Sequence, residues 1–153
     1  MSDSEIKVDL GTTLTRFTNM VTNLEDTDEL TSEISEIILS DIGQHFEDEV
    51  GPNDEPWLEL APATIEDREK ENKWPGKILQ RQGKGSGLLG SLQEYSTKTE
   101  AGVSTNKVYA AIHHFGGQAG RGKKVTIPAR PWAYLSSEAT EGIKDAILNH
   151  VDK

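Results

Sequence analysis

The chain of 153 residues contains no cysteine. Disulfide bonds, thiolate catalysis, cysteine-ligated zinc sites and iron–sulfur clusters are therefore excluded, and the composition fits folding in a reducing cytosol. No apolar run approaches the roughly 18 residues that a membrane-spanning helix requires. The first residues, MSDSEIKVDL, lack the basic start and apolar stretch of a secretory signal peptide. We therefore expect no membrane partner and no export signal.

Basic residues are nearly absent from the first part of the chain. Residues 1–60 contain 16 acids and two bases, Lys7 and Arg16, whereas residues 61–153 contain 10 acids and 14 bases. The net charges are −14 and +4, and the whole chain carries −10. A chain of this charge is not expected to grip nucleic acid over its whole surface. The asymmetry instead predicts head-to-tail contacts between the acidic half of one copy and the basic half of the next. Such contacts close into a ring when the rotation that relates neighbouring copies divides a full turn evenly.

Patterns typical of catalysis are also missing. No serine lies in a GxSxG context, and the GxGxxG of residues 85–90 lacks the preceding strand that dinucleotide binding requires, which favours a flexible loop. His45 and Glu49 share a helical face, where we expect solvent exposure, and they lack a third metal ligand. His113 and His114 are adjacent and should point apart. We therefore expect no catalytic residue, no cofactor and no metal site.

Hydrophobic spacing predicts three longer helices. Ile6, Val8 and Leu10 first alternate with polar residues as in a short strand, which Gly11 ends. Helical periodicity then begins after Thr12 or Thr13, returns from about residue 28 to 50, and returns again from Ser136 or Ser137 to 151. The helix at 28–50 has one apolar stripe, formed by Leu30, Ile34, Ile37, Ile38, Ile42, Phe46 and Val50.

The middle of the chain has shorter predicted elements. Pro62 is suited to the first position of a polar helix that reaches Asn72, and residues 77–81 and 88–92 have the composition of short helical turns. From Gln93 onward the residue composition is typical of β-strands, with Ala101-Gly102 as the predicted turn of a hairpin and residues 125–127 as a predicted strand.

These elements predict one α+β domain over residues 1–153, with N-terminal helices and a C-terminal helix packed on a small antiparallel sheet and with extended loops or a hairpin arm. It comprises an acidic helical part at about 1–60, a loop and hairpin part at about 61–135 and the C-terminal helix at about 136–151.

Three blocks of aromatic, proline and glycine residues carry a resemblance to a known family. They lie at residues 56–64, 78–91 and 108–132. In this order and spacing they resemble the virion morphogenesis (tail completion) family of tailed bacteriophages, typified by protein G of the Mu-like phages, over about residues 40–140. The residues that match the family motif are Trp57, Leu60, Pro62, Thr64, Leu79, Gly83, Leu89, Ser91, Tyr109, His113, Gly116, Gly117, Pro128, Arg130 and Pro131. The chain departs at His114, where relatives often carry glutamine, at Trp132, where phenylalanine is usual, and at the glycines 85 and 87, which lengthen a loop.

The resemblance implies a structural protein without catalysis that acts where phage head meets phage tail. It implies a ring of six or twelve copies at the head–tail junction of the virion, assembled in the host cytoplasm. The implied partners are other neck, portal-side and tail-tube proteins, with double-stranded DNA passing through without specific binding. The alternatives are a transient capsid-assembly factor, a neck protein that contacts DNA, and an enzyme.

Three sets of charged residues are candidate contact sites. Arg121, Lys123 and Lys124 lie in a glycine-containing loop without acids, which favours either an exposed hairpin tip or a partner contact. Arg130 lies between two prolines and is suited to a bidentate carboxylate contact, either within the fold as an ion pair or across a subunit boundary. The polar face of the helix at 28–50 is acidic, so it either is a solvated outer face or borders the DNA channel. Its candidate channel-facing acids are Glu29, Glu33, Glu36 and Glu47.

Overall fold

The computed structural model describes residues 11–153, so the strand predicted at residues 6–10 lies outside the described residues. The α-helices are α1 (Gly11–Glu25), α2 (Asp28–Asp48), α3 (Pro62–Lys70), α4 (Gly87–Ser91), α5 (Ala110–Phe115) and α6 (Ser137–Val151). The strands are β1 (Gln93–Ser96), β2 (Ala101–Ser104), β3 (Gly117–Ala119) and β4 (Val125–Ile127). Short 3-10 turns lie at Pro52–Asp54 and Arg121–Lys123. The predicted α+β class is confirmed.

Helix α2 is the element around which the others pack. Two acids, Asp28 and Glu29, occupy its first turn, where their negative charges interact favourably with the positive end of the helix dipole. The helix ends where Glu49 adopts a left-handed backbone with φ 55° and donates its N–H to the carbonyl of His45. Helix α6 and the β1–β2 hairpin pack against it.

The core forms around Phe46, whose exposed fraction is 0%. The ring of Trp57 lies edge-on to it with centroids 5.6 Å apart, and the ring of Trp132 is tilted at 6.0 Å. The buried cluster comprises Ile42, Phe46, Trp57, Ile78, Leu88, Leu92, Ala110 and Trp132. Of the predicted stripe on α2, Leu30, Ile42 and Phe46 are buried and the remaining members are partly buried.

Among residues 11–153 the strands form two separate antiparallel hairpins, whereas the sequence predicts one small sheet. In the first, Gln93 pairs with Ser104 and Ser96 with Ala101. Ala101-Gly102 was predicted as the turn, but it lies inside β2, and the turn is formed by residues 97–100. Position 102 requires glycine because a Cβ there would lie 2.8 Å from the ring of Tyr95 on the opposite strand of the hairpin. The second hairpin pairs β3 with β4.

Residues 77–81 form turns and not the predicted helical turn. Leu79 has a left-handed backbone with φ 59°. The backbone N–H of Ile78 donates to the carboxylate of Glu49 at 2.6 Å, and the amide of Gln80 donates to the carbonyl of Phe46 at 3.0 Å. Hydrogen bonds to the end of α2 therefore replace the i to i−4 bonds of a helix.

Helix α6 is capped as the sequence predicts. The Ser136 hydroxyl accepts the N–H of Ala139 at 3.0 Å and donates to the carboxylate of Asp41 on α2 at 2.5 Å. Ala139 and Ala146 are buried, which lets α6 lie close to α2.

Helix α1 lies against the far end of α6 and has no buried residue. Arg16 pairs with Asp152 at 2.7 Å, and the ring Nε2 of His150 lies 2.7 Å from the carbonyl oxygens of Asn23 and Asp26. The apolar stripe of α1 is 54–62% exposed at Leu14, Phe17, Val21 and Leu24. In the part of the chain that the structure describes, no helix has the length and hydrophobicity to cross a bilayer.

Candidate functional site

The first and third motif blocks are joined by hydrogen bonds to the main chain between residues 71 to 74 positions apart. The indole Nε1 of Trp57 donates to the carbonyl of Pro131 at 2.8 Å. The guanidinium of Arg130 donates from Nε to the carbonyl of Leu58 at 2.8 Å and from Nη2 to that of Glu59 at 2.9 Å. These bonds hold the segment after Trp57 against the loop between β4 and α6.

Arg130 therefore does not make the carboxylate contact that the sequence predicts within the fold. Its side chain is buried, with 6% exposed, and within residues 11–153 no carboxylate forms an ion pair with it. The planar guanidinium instead spans two successive carbonyls, those of Leu58 and Glu59, and donates to both. Burial lowers the pKa of Arg130, and the nearby charge of Arg68 lowers it further.

The adjacent histidines of α5 have different partners, in keeping with the prediction that they point apart. The ring Nδ1 of His114 accepts the backbone N–H groups of Trp132 at 3.2 Å and Ala133 at 3.1 Å. The ring of His113 lies edge-on to Tyr109 at 5.7 Å, and its buried Nδ1 has no hydrogen-bond partner within the described residues. Burial lowers the pKa of both histidines, and Arg130 adds to the effect at His113.

His45 is buried, which corrects the expectation of a solvated face. Its ring stacks on Tyr134 with centroids 3.8 Å apart, and Nε2 lies 3.0 Å from the Tyr134 carbonyl and 3.2 Å from the carboxylate of Asp41. Residues 11–153 contain no group of three or more histidine, aspartate or glutamate side chains placed to hold a metal ion.

Seven motif residues line one cleft of about 720 Å³. It lies between residues 58–61, α3, the turn at residues 79–82, α5 and β4. The motif residues in its wall are Leu60, Thr64, Leu79, Tyr109, His113, Pro128 and Arg130. The fold thus brings together residues from all three blocks, which the sequence alone did not place on a common surface.

Three arginines and one acid, Glu59, line this surface, and we call it the arginine cleft after Arg68, Arg81 and Arg130. Arg68 is buried, with 3% exposed; its Nη1 donates to the Lys77 carbonyl at 2.8 Å, and its Nε has no partner among residues 11–153. Burial lowers the pKa of Arg68 and the charge of Arg81 lowers it further, whereas the carboxylate of Glu49 partly offsets both effects. Arg81 pairs with Glu71 at 2.7 Å.

No sequence pattern singled out Arg68, because it lies in a polar helix among other charged residues. Its burial follows from the way α3 packs over the turn at residues 73–77. The cleft combines cationic donors with the apolar side chains of Leu58, Leu60 and Leu79. Such a surface can bind an anionic group that carries an apolar body.

The remaining motif residues support the backbone. Gly116 has φ 73°, and a Cβ there would lie 2.8 Å from the backbone nitrogen of Ala129, so only glycine fits. The Ser91 hydroxyl lies 2.6 Å from that of Thr105 and bridges α4 to the chain after β2. Leu89 packs on the core, Pro62 begins α3, Gly83 has φ 84°, and Gly117 begins β3.

The basic residues Arg121, Lys123 and Lys124 lie on the tip of the β3–β4 hairpin and outside the arginine cleft. All three side chains are exposed, and Lys123 has a left-handed backbone with φ 53°. An exposed tip of this kind has few contacts with the rest of the fold.

Two of the four candidate channel-facing acids have lysine partners that the sequence did not indicate. The carboxylate of Glu47 lies 2.8 Å from Lys84, whose hydrogen bond and charge lower the pKa of Glu47. Glu29 lies 3.2 Å from Lys153. Glu33 and Glu36 are exposed on the same helix.

Comparison with known proteins agrees with the resemblance that the motif blocks carry. The model of the phage virion morphogenesis family matches residues 8–152. The "Mu-like prophage FluMu G protein 2" of Haemophilus influenzae strain Rd is 46% identical over 63 residues, which are 41% of this chain and 46% of that protein. The aligned stretch thus spans less than half the length of this curated relative, and no solved structure matches. Because the family model covers nearly the whole chain, the protein belongs to the phage virion morphogenesis family.

Proposed function

We propose that the protein completes the tail or joins head to tail as a non-catalytic structural component of a neck ring. The observation that carries this proposal is the apolar stripe of α1. Leu14, Phe17, Val21 and Leu24 are each more than half exposed in the single chain. Contiguous apolar surface of this kind marks a protein contact, because leaving it in water is unfavourable.

A ring of six or twelve copies gives the stripe a partner. Head-to-tail contacts between identical copies close into a ring when the rotation permits, and each copy then covers one surface of its neighbour. The acidic first half and the basic second half add favourable charge to such a contact. In this proposal the ring meets portal-side and tail-tube proteins at the head–tail junction, and DNA passes through it unbound.

The experiment compares the wild type with Phe17→Asp and with the matched control Thr22→Asp, which lies on α1 away from the stripe. Mass photometry measures the number of copies in each assembly, and negative-stain imaging shows whether the assemblies are rings. We expect the wild type and Thr22→Asp to form rings and Phe17→Asp to remain monomeric. A wild type that is monomeric at all concentrations, or equal assembly of the two variants, contradicts the proposal.

Salt distinguishes the two contributions to the contact. Ion pairs between exposed residues are each worth about 0–1 kcal/mol and are screened at high ionic strength. If charge dominates, rings that form at low salt dissociate at molar salt. If the stripe of α1 dominates, rings persist at molar salt, and the prediction of electrostatic assembly is then wrong.

A transient capsid-assembly factor is the main alternative within the same family, and an exposed basic tip at Arg121 would also suit a neck protein that contacts DNA. The protein composition of purified mature virions distinguishes a transient assembly factor from a resident neck component. A resident neck component is present in every particle, whereas a transient factor is absent from mature virions.

A further inference from the structure

The arginine cleft contains two buried arginines that form no salt bridge, although the carboxylate of Glu49 acts on Arg68 from a longer distance. Arg68 and Arg130 are 3% and 6% exposed, and neither forms an ion pair with a carboxylate of residues 11–153. The Nε of Arg68 and the Nδ1 of His113 are buried and have no hydrogen-bond partner among these residues. Buried charges and buried donors are normally paired, because an unpaired group loses its hydration without compensation. Three arginines against the single acid Glu59 give the lining of the cleft a positive balance of charge, which favours an anionic ligand.

The walls of the cleft indicate what kind of molecule would carry the anionic group. Leu58, whose side chain is 62% exposed, and the half-buried Leu60 and Leu79 line one side. Strand β4 lines another side, and its ladder partner within the described residues is β3. An extended peptide places alternate side chains on opposite faces, so it can direct carboxylates to arginines and apolar side chains to leucines.

The chain itself contains a segment of this chemistry. Residues 3–10 read DSEIKVDL, in which the acids Asp3, Glu5 and Asp9 are interspersed with apolar residues. The segment directly precedes α1, whose exposed stripe is the proposed contact between copies. Its acidic charge is complementary to that of the cleft.

We propose that the arginine cleft binds residues 3–10 of a second copy through their carboxylates, an inference that rests on the proposed assembly of copies into a ring. The guanidinium groups of Arg68, Arg81 and Arg130, which line the cleft, attract the carboxylates of this segment. The apolar side chains of the segment cover Leu58 and its neighbours. The cleft thereby selects a segment by both its charge and its apolar side chains.

The test uses a fluorescein-labelled peptide of residues 3–10 and follows fluorescence anisotropy. The receptor is the full chain with its own acids neutralised by Asp3→Asn, Glu5→Gln and Asp9→Asn, so that it does not compete. We expect saturable binding. A peptide with the same three neutral substitutions should bind at least about tenfold more weakly, because charge-assisted bonds are lost.

Two variants of the receptor locate the binding surface. Leu58→Asp adds a negative charge to the wall of the cleft at an exposed position and should weaken peptide binding by about tenfold or more. The matched control Leu148→Asp changes an equally exposed leucine of α6 outside the cleft and should leave binding unchanged. Three results would overturn the proposal. The two variants could have equal effects, or the neutral peptide could bind as well as the acidic one. Binding could also fail to saturate up to about 1 mM peptide, a range typical of very weak contacts.

Mass photometry of the neutralised full chain tests whether the bound segment comes from a second copy. Its rings should require a higher protein concentration than wild-type rings; unchanged assembly shows that the segment does not join copies and overturns the inference. The ring proposal is tested separately, since rings that form although the peptide does not bind leave that proposal intact and remove only the cleft assignment.

Discussion

Trp57 donates a hydrogen bond from its indole Nε1 to the carbonyl oxygen of Pro131, which lies 2.8 Å away and 74 positions later in the chain. The same two stretches are joined by the bonds from Arg130 to the carbonyls of Leu58 and Glu59. The ring of Trp57 lies edge-on to Phe46, which has an exposed fraction of 0%. Changes at Trp57 and Arg130 should therefore act on one unit and not add independently.

Trp57→Phe should lower the free energy of unfolding by about 1–3 kcal/mol, because the ring remains apolar while the carbonyl of Pro131 loses its donor. Trp57→Ala should cost about 3–5 kcal/mol, since it also leaves a cavity beside Phe46. Urea unfolding followed by circular dichroism measures both changes. Trp74→Phe is the control, because the half-buried Trp74 has no hydrogen bond from its indole within residues 11–153. Equal stability of Trp57→Phe and wild type contradicts the structural role of the bond.

Arg130→Lys should destabilise the fold by about 1–3 kcal/mol although it keeps the charge, because one ammonium cannot span the two carbonyls and one of them loses its charged donor. Differential scanning calorimetry detects the change as a lower Tm. Arg121→Lys, on the exposed hairpin tip, is the matched control and should leave Tm unchanged. A normal Tm for Arg130→Lys shows that the bonds to Leu58 and Glu59 do not stabilise the fold.

Stability should fall as the pH falls below about 6.5, the ordinary histidine value. Burial lowers the pKa of His114 in the folded state, so below 6.5 the unfolded chain binds more protons and unfolding is favoured. The lost stability is complete only once the pH passes below the folded pKa. Protonation of Nδ1 also removes the acceptor for the N–H groups of Trp132 and Ala133.

His114→Gln tests this assignment, because glutamine offers an acceptor that does not titrate in this range. Urea unfolding of both proteins between pH 7.5 and 5 should show a weaker pH dependence for the variant. His113 has a pKa lowered by burial as well, so part of the dependence should remain. An unchanged slope assigns the effect to other groups.

The triple change Arg121→Ser, Lys123→Ser and Lys124→Ser should leave Tm within error but impair head–tail joining. The three side chains are exposed at the tip of the β3–β4 hairpin, so their removal changes no core contact. Thermal unfolding and an in vitro joining assay with purified heads and tails measure the two effects. A loss of several degrees in Tm shows that the tip is packed, and normal joining removes it as a partner contact.

The acidic face of α2 is proposed to border the DNA channel, where it repels phosphates and lets DNA slide. Glu33→Lys with Glu36→Lys is the cleaner test, because Glu29 and Glu47 already pair with Lys153 and Lys84. Folding should be intact, and ejection of DNA from assembled particles should be slowed. A normal ejection rate, or a ring structure with this face outside, supports the alternative of a solvated outer surface.

Elements with a strong local signal were predicted well. The periodicity of residues 28–50 located α2, Pro62 located the start of α3, and Ser136 located the cap of α6. Where local signals conflicted with tertiary contacts, the prediction failed. The Ala101-Gly102 turn is part of a strand because Gly102 accommodates the ring of Tyr95, and residues 77–81 lose their helical turn to hydrogen bonds with the end of α2.

The sequence by itself determined the α+β class, the long helices, the charge division and the motif blocks that mark the family, because composition and hydrophobic periodicity are local properties. The tertiary structure decided that Arg130 binds carbonyls, that Arg68 is buried, and that seven motif residues share one cleft. It also decided which apolar stripe remains uncovered. Those outcomes depend on which distant segments exclude water from one another, and sequence spacing does not encode that relationship.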